Sequence, residues 1–169
     1  MIAQLRALAE ASNDYLPLLS NASALINENM EDINWCGFYL VKNDAFIIRK
    51  TVFTDEQGFF DELDSIDDIA YHVVAYDCGK PIGCGRMFPE REGVYHIGRI
   101  AVLSEYRNCG IGSSIMNALE KTAASDDAEL VVLSAQRRAR DFYLKIGYET
   151  VGDEYLEEGY PHTLMQKKI

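Results

Sequence analysis

The sequence is poor in the features that mark membrane, secreted and nucleic-acid-binding proteins. No apolar run approaches the roughly 18 residues of a membrane-spanning helix, so we expect no membrane partner. The N-terminal stretch MIAQLRALAEAS lacks the basic head and apolar core of a signal peptide, and we therefore expect a cytoplasmic protein. With a formal net charge of −11, nucleic acid is not expected as a partner either, because phosphate binding needs basic patches.

Motifs for metal binding and redox chemistry are also missing. The cysteines and histidines are scattered along the chain: Cys36, Cys78, Cys84, Cys109, His72, His96 and His162. They form no CxxC pair, and their spacing matches no metal site. We therefore expect no metal and interpret the cysteines as reduced, mostly structural residues.

Acidic residues, in contrast, are concentrated in one segment, DEQGFFDELDSIDD at 55–68. Two interpretations of this segment are open. It is a solvated face, or it is a rim that attracts a cationic substrate such as an amine. The remaining composition, with 48% hydrophobic and 25% charged residues, is that of one ordinary globular domain.

The N-terminal third of the chain predicts helices followed by one strand. Apolar residues recur at helical spacing in 2–11 and in 14–29. The segment INWCGFYLV at 33–41 is aromatic and β-branched, which predicts a strand. After a turn at KND, we expect Asp44 to cap a helix from residue 45 to about residue 56.

The rest of the chain predicts a mixed sheet. Strands at 69–77, 82–88 and 94–103 are separated by short turns, which is typical of an antiparallel meander. Further elements follow in order: helix 111–124, strand 129–135, helix 139–146, strand 148–155 and strand 162–168. This order predicts an α/β (α+β) fold around one sheet that is partly antiparallel and partly joined by helical crossovers.

A glycine-containing turn, RNCGIG at 107–112, connects a predicted strand to a predicted helix. Helix starts carry free N–H groups and about half a positive charge, and glycines let an anion approach them. Arg107 would add a cationic donor. The spacing fits neither GxxxxGK[ST] nor GxGxxG. The turn therefore predicts a phosphate or pyrophosphate at a helix start, with an ordinary helix-starting loop as the alternative.

This turn resembles the R/Q-x-x-G-x-G/A signature of the GNAT N-acetyltransferase superfamily. RDFYLKIGYETVG at 140–152 resembles the later FYxKxGF motif of that superfamily. IRKTVFTDEQ at 48–57 and EYLEEGYPHTLMQK at 154–167 resemble two motifs of one of its branches. The resemblance implies a GNAT domain over 44–169, with a mixed, mostly antiparallel sheet flanked by helices and preceded by a helical extension.

The resemblance also implies an acetyl-CoA-dependent N-acetyltransferase, in which an amine of a small molecule or protein attacks the thioester directly. Tyr143 would lie near the CoA sulfur and protonate the departing thiolate, a role that suits a phenol with a pKa near 10. Gln136 would be a polar neighbour of the cofactor. The main chain would hold the pantetheine arm and the pyrophosphate at Ile100, Ala101, Val102, Arg107, Asn108, Cys109, Gly110, Ile111, Gly112 and Ser113.

An amine acceptor must lose a proton before it attacks, so the reaction calls for a base. The candidates are Glu56, Glu62, His96 and His162, and a structural role stays open for each of them. Arg99 is a candidate for a charge on the substrate side or a charge that bridges parts of the fold. A non-catalytic acyl-CoA-binding or regulatory module, with the turn but without a competent base, is the alternative function.

The N-terminal part of the chain resembles a different family. LLSNASALINENMEDINWCGFYLVKND at 18–44 is similar to the start of GAF domains of the free-methionine-(R)-sulfoxide reductase type. The cysteine-bearing body of that family is absent, so we expect neither reductase activity nor a GAF-type sensor. We expect residues 1–43 to supply outer helices and a strand that joins the acetyltransferase sheet. Their apolar stripe favours a homodimer.

Overall fold

The structure, a computed structural model, describes residues 41–59 and 63–169. The chain divides between Leu40 and Val41, and the unit described here is Val41–Ile169. The predictions for residues 1–40, including the GAF-like resemblance and nearly all of the strand at 33–41, lie outside the described residues. Glu62 lies outside them as well.

The first described element is a helix, α1, at Val41–Arg49, which continues into a π-helical turn at Lys50–Asp55. Two predictions are wrong here: Val41 is helical and does not end a strand, and the helix begins before residue 45. The KND residues form its first turn, and Asp44 accepts a hydrogen bond from the Tyr76 hydroxyl at 2.5 Å. The helix forms because Ala45, Ile48 and Val52, at helical spacing, are buried together against the sheet.

Six strands form one sheet in the order β1-β2-β3-β4-β6-β5. Their bounds are β1 Tyr71–Asp77, β2 Lys80–Arg91, β3 Val94–Val102, β4 Leu130–Gln136, β5 Glu149–Glu157 and β6 Tyr160–Lys168. All neighbours are antiparallel except β3 and β4, which are parallel. The predicted mixed, mostly antiparallel sheet is confirmed. The meander differs in one detail, because β2 runs through the predicted polar turn at 89–91.

The parallel pairing of β3 and β4 is short. Residues 94–96 pair with residues 130–132, and beyond them each strand pairs only with its other neighbour. The two strands continue to Val102 and Gln136. Their facing edges therefore carry main-chain N–H and C=O groups that no described strand pairs. We call this opening the β3–β4 gap.

Two further helices cover the sheet. Helix α2 (Ile111–Ser125) buries Ile115, Met116, Leu119 and Ala123, and helix α3 (Arg140–Lys145) follows a 3₁₀ turn at Arg137–Ala139. The main core lies under α2 and includes Val131, Leu133 and Ala135 of β4.

Because strand side chains alternate between faces, Val132, Ser134 and Gln136 point to the opposite side. A second apolar cluster beneath α1 includes Cys84 and Ala101. We refer to the two sides as the α2 face and the α1 face.

Candidate active site

A cavity of about 750 Å³ lies at the β3–β4 gap. It is lined by residues 97–100 of β3 and by Ser134 and Gln136 of β4. Tyr143, which packs in the core of the α2 face, also lines it, and so does His162 of β6. His162 pairs with Gln136 across the sheet and therefore lies on the α1 face. The cavity is thus reached by side chains from both faces of the sheet.

The glycine turn forms one end of the cavity. Gly110 is the residue before α2, with a left-handed φ of +82° and no side chain capping the helix. The first bond of the helix runs from the Ser114 N–H to the Gly110 carbonyl at 3.0 Å, so the N–H groups of residues 111–113 have no acceptor within the helix. A Cβ at Gly110 would meet no atom within 4 Å. The prediction of an open, anion-binding helix start fits this geometry.

The second glycine of the turn, Gly112, is needed for a different reason. A Cβ on Gly112 would lie 3.3 Å from Cζ of Phe142, which is tighter than ordinary packing. Gly112 therefore lets α3 pack closely against the first turn of α2, whereas the sequence suggested close approach of the anion alone.

Arg107 is held by two partners in this structure. Its Nε donates to the Val102 carbonyl at 2.9 Å, and its terminal nitrogen donates to Oε2 of Glu56 at 2.5 Å. Glu56, a predicted base, therefore pairs with the turn and is not among the residues that line the cavity. Its neighbour Gln57 does line the cavity. The pair joins two motifs that are 51 residues apart.

Most of the predicted cofactor-binding residues line the cavity: Ile100, Val102, Arg107, Asn108, Gly110, Gly112, Ser113, Gln136 and Tyr143. Three of them do not: Ala101, Cys109 and Ile111. Ala101 is buried in the cluster beneath α1, and Ile111 packs against the core beneath α2. Cys109 is exposed outside the cavity lining, whereas Ala101 and Ile111 would offer a ligand mainly their main-chain groups.

Tyr143 projects from α3 and is 8% exposed. Its ring contacts those of Phe142 and Tyr148, with centroids 5.0 and 5.8 Å away. Burial raises its pKa above the ordinary value of 10.0, so the phenol stays protonated at neutral pH. No described residue hydrogen-bonds its hydroxyl, and the side chain lines the cavity. The proton of this hydroxyl is available to a group in the cavity.

Both predicted histidine bases lie on the α1 face and line the cavity. His96 stacks on Phe88 at 5.1 Å, and its Nδ1 is 3.2 Å from Oε2 of Glu90. His162 is 6% exposed, and its Nδ1 is 2.9 Å from the Tyr160 carbonyl oxygen. Because a carbonyl only accepts, Nδ1 of His162 carries the proton, and Nε2 has a free lone pair when the ring is neutral.

A network of buried charges, which the sequence analysis missed, forms another wall of the cavity. Arg86 donates to both oxygens of Asp64 at 2.7 Å, and Arg86 and Arg49 each donate to Oδ1 of Asp67 at 2.6 Å. The hydrogen bond from Arg86 lowers the pKa of Asp64 to about 2. Burial opposes the charged form of Asp67, but the two arginines outweigh it, and its pKa is also lowered.

The network settles what part of the acidic segment 55–68 does. Asp64 and Asp67 are partners of arginines and are neither a purely solvated face nor a free rim. Arg99 approaches Asp64 at 3.5 Å from a left-handed backbone position with φ of +55°, so it acts as the bridging charge. The sequence signal for this network was the acidic segment itself, because buried arginines need carboxylates.

A second group of residues was missed on the α1 face. Ser134 of β4 lies 2.5 Å from the Tyr155 hydroxyl and 2.6 Å from Oε2 of Glu157, both of β5. Ser134 and Glu157 line the cavity. The available signal was the position of Glu157 in the segment YLEEGYPH, five residues before the predicted base His162.

Comparisons with known proteins identify the family. Residues 51–169 match the family model described as an acetyltransferase (GNAT) domain. The chain is 41% identical over 127 residues to a Bacillus subtilis (strain 168) protein named as the uncharacterized N-acetyltransferase YjcF, covering 73% of this chain and 90% of that protein.

Solved structures show the same fold. An acyl-CoA N-acyltransferase from Pseudomonas aeruginosa superposes with a TM-score of 0.67 at 27% identity, covering 76% of this chain and 92% of that chain. An aminoglycoside 6'-N-acetyltransferase complexed with coenzyme A superposes with a TM-score of 0.64 at 17% identity, covering 78% and 92%. Among the described residues, no helix is both long and apolar enough to cross a membrane. The chain belongs to the GNAT acetyltransferase family and is an acyltransferase.

Proposed function

We propose that this acyltransferase moves the acetyl group of acetyl-CoA to an amine of a small molecule or protein by direct attack of the amine on the thioester. The observation that carries the proposal is the cavity at the β3–β4 gap. It joins the open start of α2 to the polar side chains of the α1 face. The coenzyme A in the aminoglycoside acetyltransferase structure supports a CoA thioester as the donor.

The residues on the α2 side of the cavity fit such a donor. Open N–H groups at the start of α2 suit a pyrophosphate, and a side chain at Gly110 would otherwise occupy the open space beside them. The edge of β3 at Ile100 and at the Val102 N–H, which no described strand pairs, suits an extended arm with amide groups, which would add to the strand as a further strand does. The Val102 carbonyl already accepts from Arg107. We expect Arg107 to add positive charge at the pyrophosphate.

The chemistry needs one proton donor and one proton acceptor. Tyr143 lines the cavity as a protonated phenol, and we assign it the proton that the departing sulfur takes up. The predicted acceptors His96 and His162 lie on the opposite face, where the amine would enter. The proton donor and the proton acceptor would thus reach the gap from opposite faces of the sheet. The amine would approach the thioester from the α1 face and would not have to pass the bound donor.

The test is turnover of acetyl-CoA with a panel of amines that includes alkylamines, polyamines, amino acids and lysine peptides. We expect release of free thiol to depend on one class of amine, with the acetylated amine found by mass spectrometry. Binding of CoA without turnover of any amine would instead favour the acyl-CoA-binding module. A preference for longer acyl thioesters over acetyl-CoA would contradict only the choice of acetyl as the transferred group and would leave the rest of the proposal standing.

Two finer predictions accompany this proposal. The cytoplasmic location follows only from the sequence, and fractionation of the native cells would test it. The homodimer follows from the apolar stripe in residues 1–40, and sedimentation of the full chain would test it. The expected dimer mass is twice 19.1 kDa.

A further inference from the structure

Ser134, Tyr155 and Glu157 form a hydrogen-bonded cluster on the α1 face, beside the β3–β4 gap. Ser134 lies two positions after Val132, the last residue of β4 that pairs with β3, so its side chain stands on the α1 face where the gap begins. Its hydroxyl lies 2.6 Å from Oε2 of Glu157 and 2.5 Å from the Tyr155 hydroxyl. The cluster is therefore next to the place where the proposed reaction would occur.

The direction of these hydrogen bonds follows from the number of protons. Glu157, as a carboxylate, only accepts, so the single Ser134 proton is donated to it. The Tyr155 hydroxyl must then donate to Ser134. The His162 ring stacks on Tyr155, with centroids 6.3 Å apart, and supports it from β6. This chain of contacts stabilises a charged, oriented carboxylate and leaves Oε1 of Glu157 without a partner among the described residues.

Glu157 differs in one respect from the other carboxylate that lines the cavity. Asp64 is fully engaged by Arg86, which donates to both of its oxygens. Glu157 is hydrogen-bonded by Ser134 and has no cationic partner among residues 41–59 and 63–169. A carboxylate that is held in place and has no counter-ion is a site for a cation. An aliphatic amine, which is the proposed acceptor, is a cation at neutral pH.

We propose that Glu157 binds the ammonium group of the acceptor and takes its proton, and that Ser134 positions the carboxylate. This inference rests on the proposed function. Glu157 accepts one proton from R–NH3+, and the neutral nitrogen forms a C–N bond with the thioester carbonyl carbon. The C–S bond breaks, and the sulfur leaves with the electron pair and takes the Tyr143 proton. The new amide nitrogen returns a proton to Tyr143, and Glu157 passes its proton to water.

The other predicted bases are less suited to this task. Glu56 is paired with Arg107 outside the cavity lining. His96 has Glu90 beside it, and its ring is stacked on Phe88. His162 is oriented by the Tyr160 carbonyl and is neutral when it can accept a proton, so it does not attract an ammonium ion. In this arrangement His162 positions Tyr155, and through it Ser134 and Glu157.

The experiment compares Glu157→Gln with Glu158→Gln, a matched loss of one negative charge at the next residue. Three quantities are measured: kcat/KM for the best amine of the panel, the dissociation constant of CoA, and the dissociation constant of n-butylammonium without donor. For Glu157→Gln we expect kcat/KM to fall by about 100-fold or more. We expect n-butylammonium to bind about tenfold more weakly or not at all, whereas the CoA constant stays within about twofold. Glu158→Gln should match the unmodified protein in all three.

Retention of a third or more of kcat/KM by Glu157→Gln would overturn the proposed base. Equal n-butylammonium binding in both variants would overturn the ammonium site. Failure of the unmodified protein to acetylate any amine would instead reject the proposed function, and loss of n-butylammonium binding in Glu157→Gln would then still identify a cation site. These outcomes are distinguishable because the binding measurement needs no donor.

Ser134 is tested by rescue. Ser134→Ala removes the proton donated to Glu157, and we expect about a tenfold fall in kcat, because the carboxylate loses its orientation. Ser134→Thr keeps a hydroxyl and should recover most of that loss. The acid limb of the pH–rate profile, which reports the base, should move in Ser134→Ala and return in Ser134→Thr. Equal losses in both variants, with an unmoved profile, would contradict the positioning role.

Discussion

The two ends of the cavity are built from different parts of the polypeptide. The proposed donor end is mostly main chain: the helix start after Gly110 and the edge of β3 that no described strand pairs. The acceptor end is made of side chains from separate elements, and it includes the charges around Arg86 and the cluster around Glu157. A site built from main-chain groups requires a particular backbone conformation but tolerates many different side chains. A site built from side chains depends on the identity of each residue that forms it. The two ends should therefore fail in different ways when they are mutated.

The charge network of the acceptor end should produce the largest change in stability. Asp67→Asn leaves two buried guanidinium groups without their shared carboxylate, and we expect the free energy of unfolding to fall by about 3–5 kcal/mol at pH 7. Because the folded pKa of Asp67 lies below its ordinary 3.8, its contribution is fully present above pH 3.8 and is lost as the pH falls below that value.

Urea unfolding at pH 7 and at pH 3 measures both effects. The difference in the free energy of unfolding between the variant and the unmodified protein should be smaller at pH 3 than at pH 7. The exposed Asp153→Asn is the control and should change stability by less than about 0.5 kcal/mol. A loss below about 1 kcal/mol for Asp67→Asn would show that this wall of the cavity is not held together by its charges.

Tyr143 stands at the boundary between the two ends, and its hydroxyl should matter for rate alone. We expect Tyr143→Phe to lower kcat by about 100-fold, because it removes the proton for the departing sulfur, with the CoA dissociation constant unchanged. Since burial raises the pKa of this phenol, activity should not fall at alkaline pH through its ionisation. Single-turnover kinetics measure the effect.

Tyr148→Phe is the matched control for Tyr143. It removes another buried hydroxyl, which donates a hydrogen bond to Glu120 at 3.0 Å. Tyr148 is not among the residues that line the cavity. It should leave kcat nearly unchanged and affect stability only. Equal kcat for Tyr143→Phe and the unmodified protein would remove the proton donor from the proposed mechanism.

The donor end should respond to backbone conformation. Gly110→Ala places a Cβ on a residue with φ of +82°, which costs an L-residue about 1–2 kcal/mol and favours displacement of the free N–H groups. We expect CoA to bind about tenfold more weakly, while binding of n-butylammonium is unchanged. Isothermal titration calorimetry measures both ligands.

Gly79→Ala is the matched control for Gly110. Gly79 has φ of +81° and open space around it, but it lies in the β1–β2 turn. Its substitution should lower the stability of the protein without weakening the binding of CoA. If both glycine variants bind CoA equally, the helix start is not the pyrophosphate site.

The smallest effect is expected where the two ends touch. Glu56→Gln removes the partner of Arg107, and half-exposed ion pairs of this kind contribute about 0–1 kcal/mol. We expect kcat/KM to change by less than about threefold, the same as in Asp55→Asn, which removes an exposed partner of Lys50. Steady-state kinetics compare the two. A fall of about 100-fold in Glu56→Gln alone would make Glu56 the base after all.

The local structure of the proposed donor end could be predicted from the sequence because its determinants are local. The turn RNCGIG encodes a left-handed glycine followed by a helix, and α2 begins at the predicted residue, Ile111. The strand before it and the helix after it have strong periodicities. The error at α1 is also local: KND has the composition of a turn, but burial of Ala45 and Ile48 against the sheet extends the helix back through it.

The acceptor end could not be predicted in the same way because it depends on strand register. Ser134 and Glu157 meet only because β6 pairs with both β4 and β5, with His162 opposite Gln136 on one side and Tyr155 on the other. A shift of one residue in either pairing would turn these side chains to the other face. Arg86 of β2 and Asp64, which caps the 3₁₀ turn at Ser65–Asp68, are 22 residues apart, so their contact is also not encoded in a local pattern.

The short ladder between β3 and β4 also links binding to folding. The edges at 97–102 and 133–136, which no described strand pairs, lie inside the sheet, so the proposed thioester would extend the ladder where the described strands stop pairing. Donor concentration and conformational stability then become coupled equilibria, and ligand at 100 times its dissociation constant adds about 2.7 kcal/mol. Amide hydrogen exchange along both edges should slow as donor is added. The resistance of this enzyme to unfolding would therefore follow the acyl-CoA level of its surroundings.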